Sequence, residues 1–254
     1  MQDRVQVRVQ EREPERQPIF NVPGAVLAML LAMVAVHAGR QLLDDQSAMW
    51  WLIALAFIPA RYAGLAGELP GGDIASVTSW VTHVFVHADM VHLIINSAWF
   101  LAFGSVICRR VGVLRFFAFT IASGIAGALL FLVIRPGLIA PVVGASGAVA
   151  GLMGGVMRFL FSAIDRGEGR KLSERPAEIP AMSLKTSLND RRIQIATAAF
   201  VALNLLAMIG FGALGTGASI AWEAHLGGYF FGLLCFGFFD IASQQASPLP
   251  AKFE

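Results

Sequence analysis

Five histidines and one glycine-flanked serine are the residues of this 254-residue chain best suited to chemistry. The segment THVFVHADMVHLIIN spaces His83 and His87 four apart, and His92 and Asn96 four apart. Each pair therefore shares one face wherever its segment is helical. Ser146 stands between Gly144 and Gly147, followed by small residues at Ala150, Gly151, Gly154 and Gly155. His225 lies one turn before Gly228 and Gly232, a small face able to approach the small face around Ser146 closely. A neutral imidazole takes the serine proton as the hydroxyl attacks a carbonyl and returns it to the leaving amine. Donors such as His92 and Asn96 would stabilise the oxyanion.

Each of these residues also has a structural reading. A serine in an apolar helix commonly bonds its own preceding carbonyl, and His92 with Asn96 could join two helices by hydrogen bonds. His83 and His87 read most simply as caps and braces of a loop, and His37 as a polar tip reaching the membrane interface. Paired histidines at helical spacing also bind zinc, so His83, His87 and His92 admit a metal-dependent membrane hydrolase or a metal transporter. No HExxH motif or obvious carboxylate ligand accompanies them, and no metal or organic cofactor is expected. Cys108 and Cys235 have no pairing or metal spacing and read as packed thiols.

These residues must be positioned by membrane helices. Charged residues make up 14% of the chain and hydrophobic ones 56%, against about 25% charge in an average soluble domain. Long apolar runs cover residues 22–43, 90–107, 113–134, 141–163, 193–214 and 219–239, giving six candidate spans. The run from Trp50 to Ala60 is too short to span and suits an interfacial or re-entrant element. The first run is long and follows an acidic, arginine-rich tail, so it reads as a retained helix rather than a cleaved signal. Residues 1–20 form a polar tail, 21–241 a single membrane domain and 242–254 a short tail. Within the domain, residues 164–192 form a polar loop. The first tail and this loop are expected to be mobile.

Six spans leave both termini on one side. All but three of the 19 Lys and Arg residues fall in the tails or at the second and fourth connections; Arg40, Arg61 and Arg135 lie opposite. The basic side faces the cytoplasm, which places both termini there. The net charge of +2 and pI near 8.8 follow from this bias and do not point to nucleic acid.

Taken together, HxxxHxxxxHxxxN from His83 to Asn96, GASG at residues 144–147 and AHLGGYFFG at residues 224–232 resemble the bacterial, six-span type of rhomboid intramembrane serine protease. The resemblance covers roughly residues 22–240. It implies an all-α polytopic bundle with a membrane-embedded loop between the first two helices, suited to the short Trp50 to Ala60 run. Ser146 would be the nucleophile and His225 the general base, a dyad without an aspartate. His92, Asn96 and the Ser146 amide would form the oxyanion hole. His83, His87, Gly144, Gly147, Gly228 and Gly232 would give structural support. A mobile cap would follow the fifth span, where Gly210, Gly212, Gly215 and Gly217 loosen the chain.

Two departures from the family pattern stand out. A Trp-Arg pair common before the histidine matching His87 is replaced by Thr78 and Ser79, with Trp80 close by, which puts the anchoring of the embedded loop in question. The aromatic residue often found four after the serine is Ala150, so support for the His225 ring must come from elsewhere, Tyr229 being one candidate. The implied activity is hydrolysis of peptide bonds in or near transmembrane segments of other proteins, within the lipid bilayer, with a bacterial inner membrane as the expected location. The alternative is an inactive relative that binds membrane helices and controls their folding or traffic. Neither the substrate nor the oligomeric state is specified by the sequence.

Overall fold

The computed structural model describes residues 22–209 and 221–240. Both tails and the glycine-rich segment expected to form a cap, residues 210–219, lie outside the described residues. The described chain is an all-α polytopic membrane bundle. Its longer helices are α1 (Gly24–Gln41), α2 (Asp45–Leu55), α3 (Gly72–Thr82), α4 (Met90–Val111), α5 (Val113–Ile134) and α6 (Ser146–Asp165). Two short helices follow, α7 (Gly169–Glu174) and α8 (Leu184–Asn189), then α9 (Arg191–Ile209) and α10 (Trp222–Cys235).

Local signals fix several ends. Asp44 caps α2 by accepting from the Ser47 amide at 2.9 Å, and Asp89 caps α4 by accepting from the His92 amide at 2.8 Å. A side-chain oxygen there satisfies one of the unpaired amides of a helix's first turn. Asp89 thereby sets His92 in the first turn of α4 and Asn96 one turn further along the same face.

The bundle is built around α6, which packs against α4, α5 and α10. Phe100, Phe116, Phe119 and Phe236 are fully buried around it, as is Phe159 of α6 itself. Against α10 the packing is backbone on backbone. A methyl built on Gly228 would run into the Gly147 carbonyl, and one on Gly232 into the Gly151 carbonyl. On the α6 side, a methyl at Gly154 would strike the Tyr229 carbonyl. Small residues at this spacing let membrane helices approach closely, where dispersion rather than water exclusion holds them together.

Four helices, α1, α4, α5 and α6, are long and apolar enough to cross a membrane. Six spans are expected from the apolar runs; among the described residues α10, the last of them, is shorter than these four. The 14 residues of α10 rise only about 21 Å at 1.5 Å each, short of a hydrocarbon core of about 30 Å. The fourth run also differs from its expected form. Residues 141–145 are not helical, and α6 begins at Ser146 itself.

Between α1 and α4 the chain folds into α2, short 3₁₀ turns and α3. Phe57 and Val142 exchange backbone hydrogen bonds of 3.0 and 2.8 Å, an antiparallel bridge tying this region to the approach to Ser146. Arg61 is buried and donates to the carbonyls of Ile53 and Pro70, both at 2.8 Å, and Gly72 at 3.5 Å. It draws together the same connection that the missing Trp-Arg pair put in question. Trp80 packs edge-on to Phe57 at 4.7 Å between ring centroids.

Two expectations are corrected here. His37 is buried among the helices, not at an exposed tip, and its Nδ1 has no hydrogen-bond partner among the described residues. The polar segment from Asp165 to Arg192 is not an open loop. It carries α7 and α8, buries Pro176, Ile179 and Ser187, and is held by arginines of the bundle. Arg110 donates to the carbonyls of Pro176 and Ile179, and Arg158 to that of Met182. Carbonyl groups that a polar loop would leave to water are thus used by side chains of the core.

Candidate active site

The site is assembled at the N-terminus of α6. Gly144 adopts φ +103°, a left-handed conformation that glycine tolerates without steric cost, and turns the chain into the helix. Ser146 is the first residue of α6, so its amide belongs to the set that has no partner inside the helix. These amides and the aligned peptide dipoles make the end of α6 favourable to negative charge.

The loop entering α6 is held by the histidine-rich segment. The Gly144 amide donates to the His83 carbonyl at 2.9 Å, and the Ala145 amide to His87 Nε2 at 3.4 Å. His83 is itself fixed by Nδ1 donating to the Ser79 carbonyl at 2.7 Å. Arg40, at the end of α1, donates to the His87 carbonyl at 2.9 Å.

His92 and Asn96 converge on the same loop. A methyl built on Gly144 would lie 2.7 Å from His92 Nε2 and 3.5 Å from Asn96 Nδ2. The Asn96 amide is oriented by Nδ2 donating to the His92 carbonyl at 3.0 Å, which leaves its second N–H for another acceptor. Two side-chain donors thus lie beside the turn that presents Ser146 and its amide.

Across from them, the α6 and α10 glycines bring His225 to Ser146. The Ser146 hydroxyl donates to His225 Nε2 at 2.8 Å. Both residues are partly accessible rather than sealed in the core. The far side of the imidazole, Nδ1, donates to Asn204 Oδ1 on α9 at 2.8 Å. This contact was not foreseen in the sequence, where an asparagine 21 residues before a histidine carries no spacing signal. Tyr229, the candidate ring support, is held by residues of α9. It stacks on Phe200 at 4.7 Å between centroids, and its hydroxyl meets Thr197 Oγ1 at 2.7 Å.

The arrangement brings a hydroxyl within hydrogen-bond reach of an imidazole, with side-chain N–H groups and a helix N-terminus close by, a geometry that nucleophilic catalysis could use. Among the described residues no three histidines, cysteines or carboxylates are grouped to hold a metal ion. His87 and His92 meet edge to face, with ring centroids 5.1 Å apart.

Residues 75–172 match the family model for the Rhomboid domain. The rhomboid protease GlpG of Salmonella paratyphi A, of Salmonella typhi and of Salmonella newport are each 31% identical to this chain over 97 residues. Each alignment covers 38% of the chain and 30% of the relative. The family match includes His83, His87, His92, Asn96 and Ser146 but ends before Asn204 and His225.

Proposed function

Starting from a chain that is a rhomboid-family protein, we propose that it is an intramembrane serine endopeptidase whose nucleophile is Ser146 and whose general base is His225. The observation that carries this reading is the 2.8 Å hydrogen bond from the Ser146 hydroxyl to His225 Nε2 at the start of α6. Since the family match ends before His225, this contact supports the reading independently of the match.

In this mechanism Ser146 Oγ attacks the scissile carbonyl as its proton passes to His225 Nε2. Negative charge develops on the carbonyl oxygen, which the Ser146 amide, His92 and Asn96 stabilise. Collapse of the tetrahedral adduct breaks the C–N bond, and the proton on Nε2 goes to the leaving amine. Water then attacks the acyl-enzyme, giving its proton to Nε2, and Ser146 recovers the proton when the acid leaves.

Substrates in this reading are membrane proteins whose transmembrane helix is locally unstable. A peptide bond inside a hydrogen-bonded helix cannot present its carbonyl to Ser146 without first leaving that helix. Both termini would face the cytoplasm of a bacterial inner membrane, a reading supported by the distribution of basic residues in the sequence.

The test is cleavage of a transmembrane-helix substrate by purified protein in detergent, with labelling by a fluorophosphonate. Wild type should cleave and label, whereas Ser146→Ala and His225→Ala should do neither. Cleavage that survives Ser146→Ala removes the serine mechanism. A folded wild type that neither labels nor cleaves, yet retains the helix substrate on a column, favours the helix-binding alternative.

A further inference from the structure

Asn204 is the group on α9 that faces the imidazole of His225, and its bonding determines which atoms carry protons. Its Nδ2 lies 2.8 Å from the Phe200 carbonyl, which can only accept. The amide nitrogen must therefore face Phe200, leaving Oδ1 toward His225. Oδ1 can only accept, so the ring's Nδ1 must carry a hydrogen. In a neutral ring Nε2 is then bare and can only accept, which is the state needed to take the Ser146 proton. With the acceptor at Nδ1 removed, the tautomer protonated at Nε2 competes, and it cannot serve as base toward Ser146.

We infer that Asn204 is a positioning residue for catalysis: it holds His225 in the tautomer and ring orientation that activate Ser146, coupling the base to the placement of α9. The inference rests on the serine protease reading of the Ser146 and His225 pair. Asn204 touches neither substrate nor reacting atoms, and it exchanges no proton. As Nε2 gains the Ser146 proton, the Nδ1 hydrogen stays on the ring and Oδ1 continues to accept from it.

The geometry of α9 supports this role. Ile193, Thr197, Phe200 and Asn204 recur at intervals of four, three and four, so they lie along one face. Phe200 and Thr197 meet Tyr229, and Asn204 meets His225, which is one turn before Tyr229 on α10. The other faces of α9 expose Ile195, Leu203 and Leu206. A helix attached along one narrow face can shift without disrupting the α5, α6 and α10 packing, and such a shift would change the base.

The test uses the full-length protein with Asn204→Leu, Asn204→Asp and Thr197→Val. Asn204→Leu keeps the branch at Cγ without an acceptor and should lower kcat by about ten- to a hundredfold with KM nearly unchanged. Asn204→Asp restores an acceptor and should recover most of that loss. Thr197→Val removes the neighbouring α9 to α10 bond and should lower thermal stability while leaving kcat within about twofold of wild type, since general-base catalysis at His225 is untouched. With ¹⁵N-labelled histidine, wild type should show His225 protonated at Nδ1 alone, and Asn204→Leu should show the proton shared between the ring nitrogens. Wild-type kcat and an unchanged tautomer in Asn204→Leu overturn the inference while leaving the protease reading intact. A kcat loss matched by Thr197→Val at equal thermal stability also overturns it, because a structural role then suffices. An inactive, unlabelled wild type defeats the protease reading, and the tautomer comparison still decides what Asn204 does. If Asn204→Leu does not fold, Asn204→Ala against Asn204→Asp makes the same comparison.

Discussion

At Gly144 two demands fall on one residue. The backbone has φ +103°, and the space a side chain would occupy is filled by the His92 ring at 2.7 Å. Adopting that conformation costs a non-glycine residue roughly 1–2 kcal/mol, an amount a stable bundle tolerates. The clash falls instead on the proposed oxyanion donors. Gly144→Ala should therefore leave the protein folded but displace His92, reducing kcat by about tenfold or more, compared with up to about a hundredfold for His92→Ala or Asn96→Ala. Steady-state cleavage rates together with thermal stability in detergent check this, and an unchanged rate in Gly144→Ala would separate His92 from the reaction. Ser146, His225, His92 and Asn96 stood out in the sequence as candidates because polar groups are costly at membrane depth and each calls for a reason. Asn204 was not, since its meaning lies in a partner on another helix and in the carbonyl that orients its amide. Arg61 was hidden for the same reason: it acts on carbonyls of Ile53, Pro70 and Gly72, and backbone atoms leave no trace in residue type.

The contact between α6 and α10 sets the distance from Ser146 to His225. At Gly228 and Gly232 the obstruction to a side chain is backbone, the carbonyls of Gly147 and Gly151, so no rotamer change can relieve it. Gly232→Val must force the helices apart, stretching the serine to imidazole bond beyond useful length. Gly232→Val should lose fluorophosphonate labelling and melt at lower temperature. Gly39→Ala, where nothing lies within 4 Å of the added methyl, should do neither. Equal labelling of the two variants would mean that this interface does not position His225. Glycines at four-residue intervals made this pairing readable before the structure. The start of α6 was less readable. Residues 141–163 form one apolar run, and hydropathy does not distinguish a helix from an extended apolar segment. Pairing of Val142 with Phe57 gives the first residues of that run their backbone partners outside a helix, so the helix can begin at Ser146.

At the opposite end of α6, Arg110 joins distant parts of the chain. Its side chain and that of Asp240 are both 0% exposed and meet at 2.8 Å. It also donates to the carbonyls of Pro176 and Ile179, and its guanidinium lies 4.2 Å over the Phe159 ring. One cation therefore ties α4, α6, the polar segment before α9 and the chain following α10. The sequence could count this arginine toward orientation but could not show it facing inward, because the groups it binds are far away in the chain and mostly backbone. Removing Asp240 leaves a buried charge without its carboxylate, a loss of about 3–5 kcal/mol in such settings, whereas an exposed pair such as Arg192 with Asp165 is screened by solvent and contributes little. Asp240→Ala should lower Tm by about 10 °C at about 2–4 °C per kcal/mol for a chain this size, and Asp165→Ala by only a degree or two. Replacing both partners, Arg110→Met with Asp240→Leu, removes the stranded charge and should recover part of that loss. The carbonyls of Pro176 and Ile179 would still lack their donor, so the double variant should be cut by trypsin at Arg170 and Lys171 faster than wild type. A double variant as resistant as wild type would show that the polar segment is held by its own packing and not by Arg110.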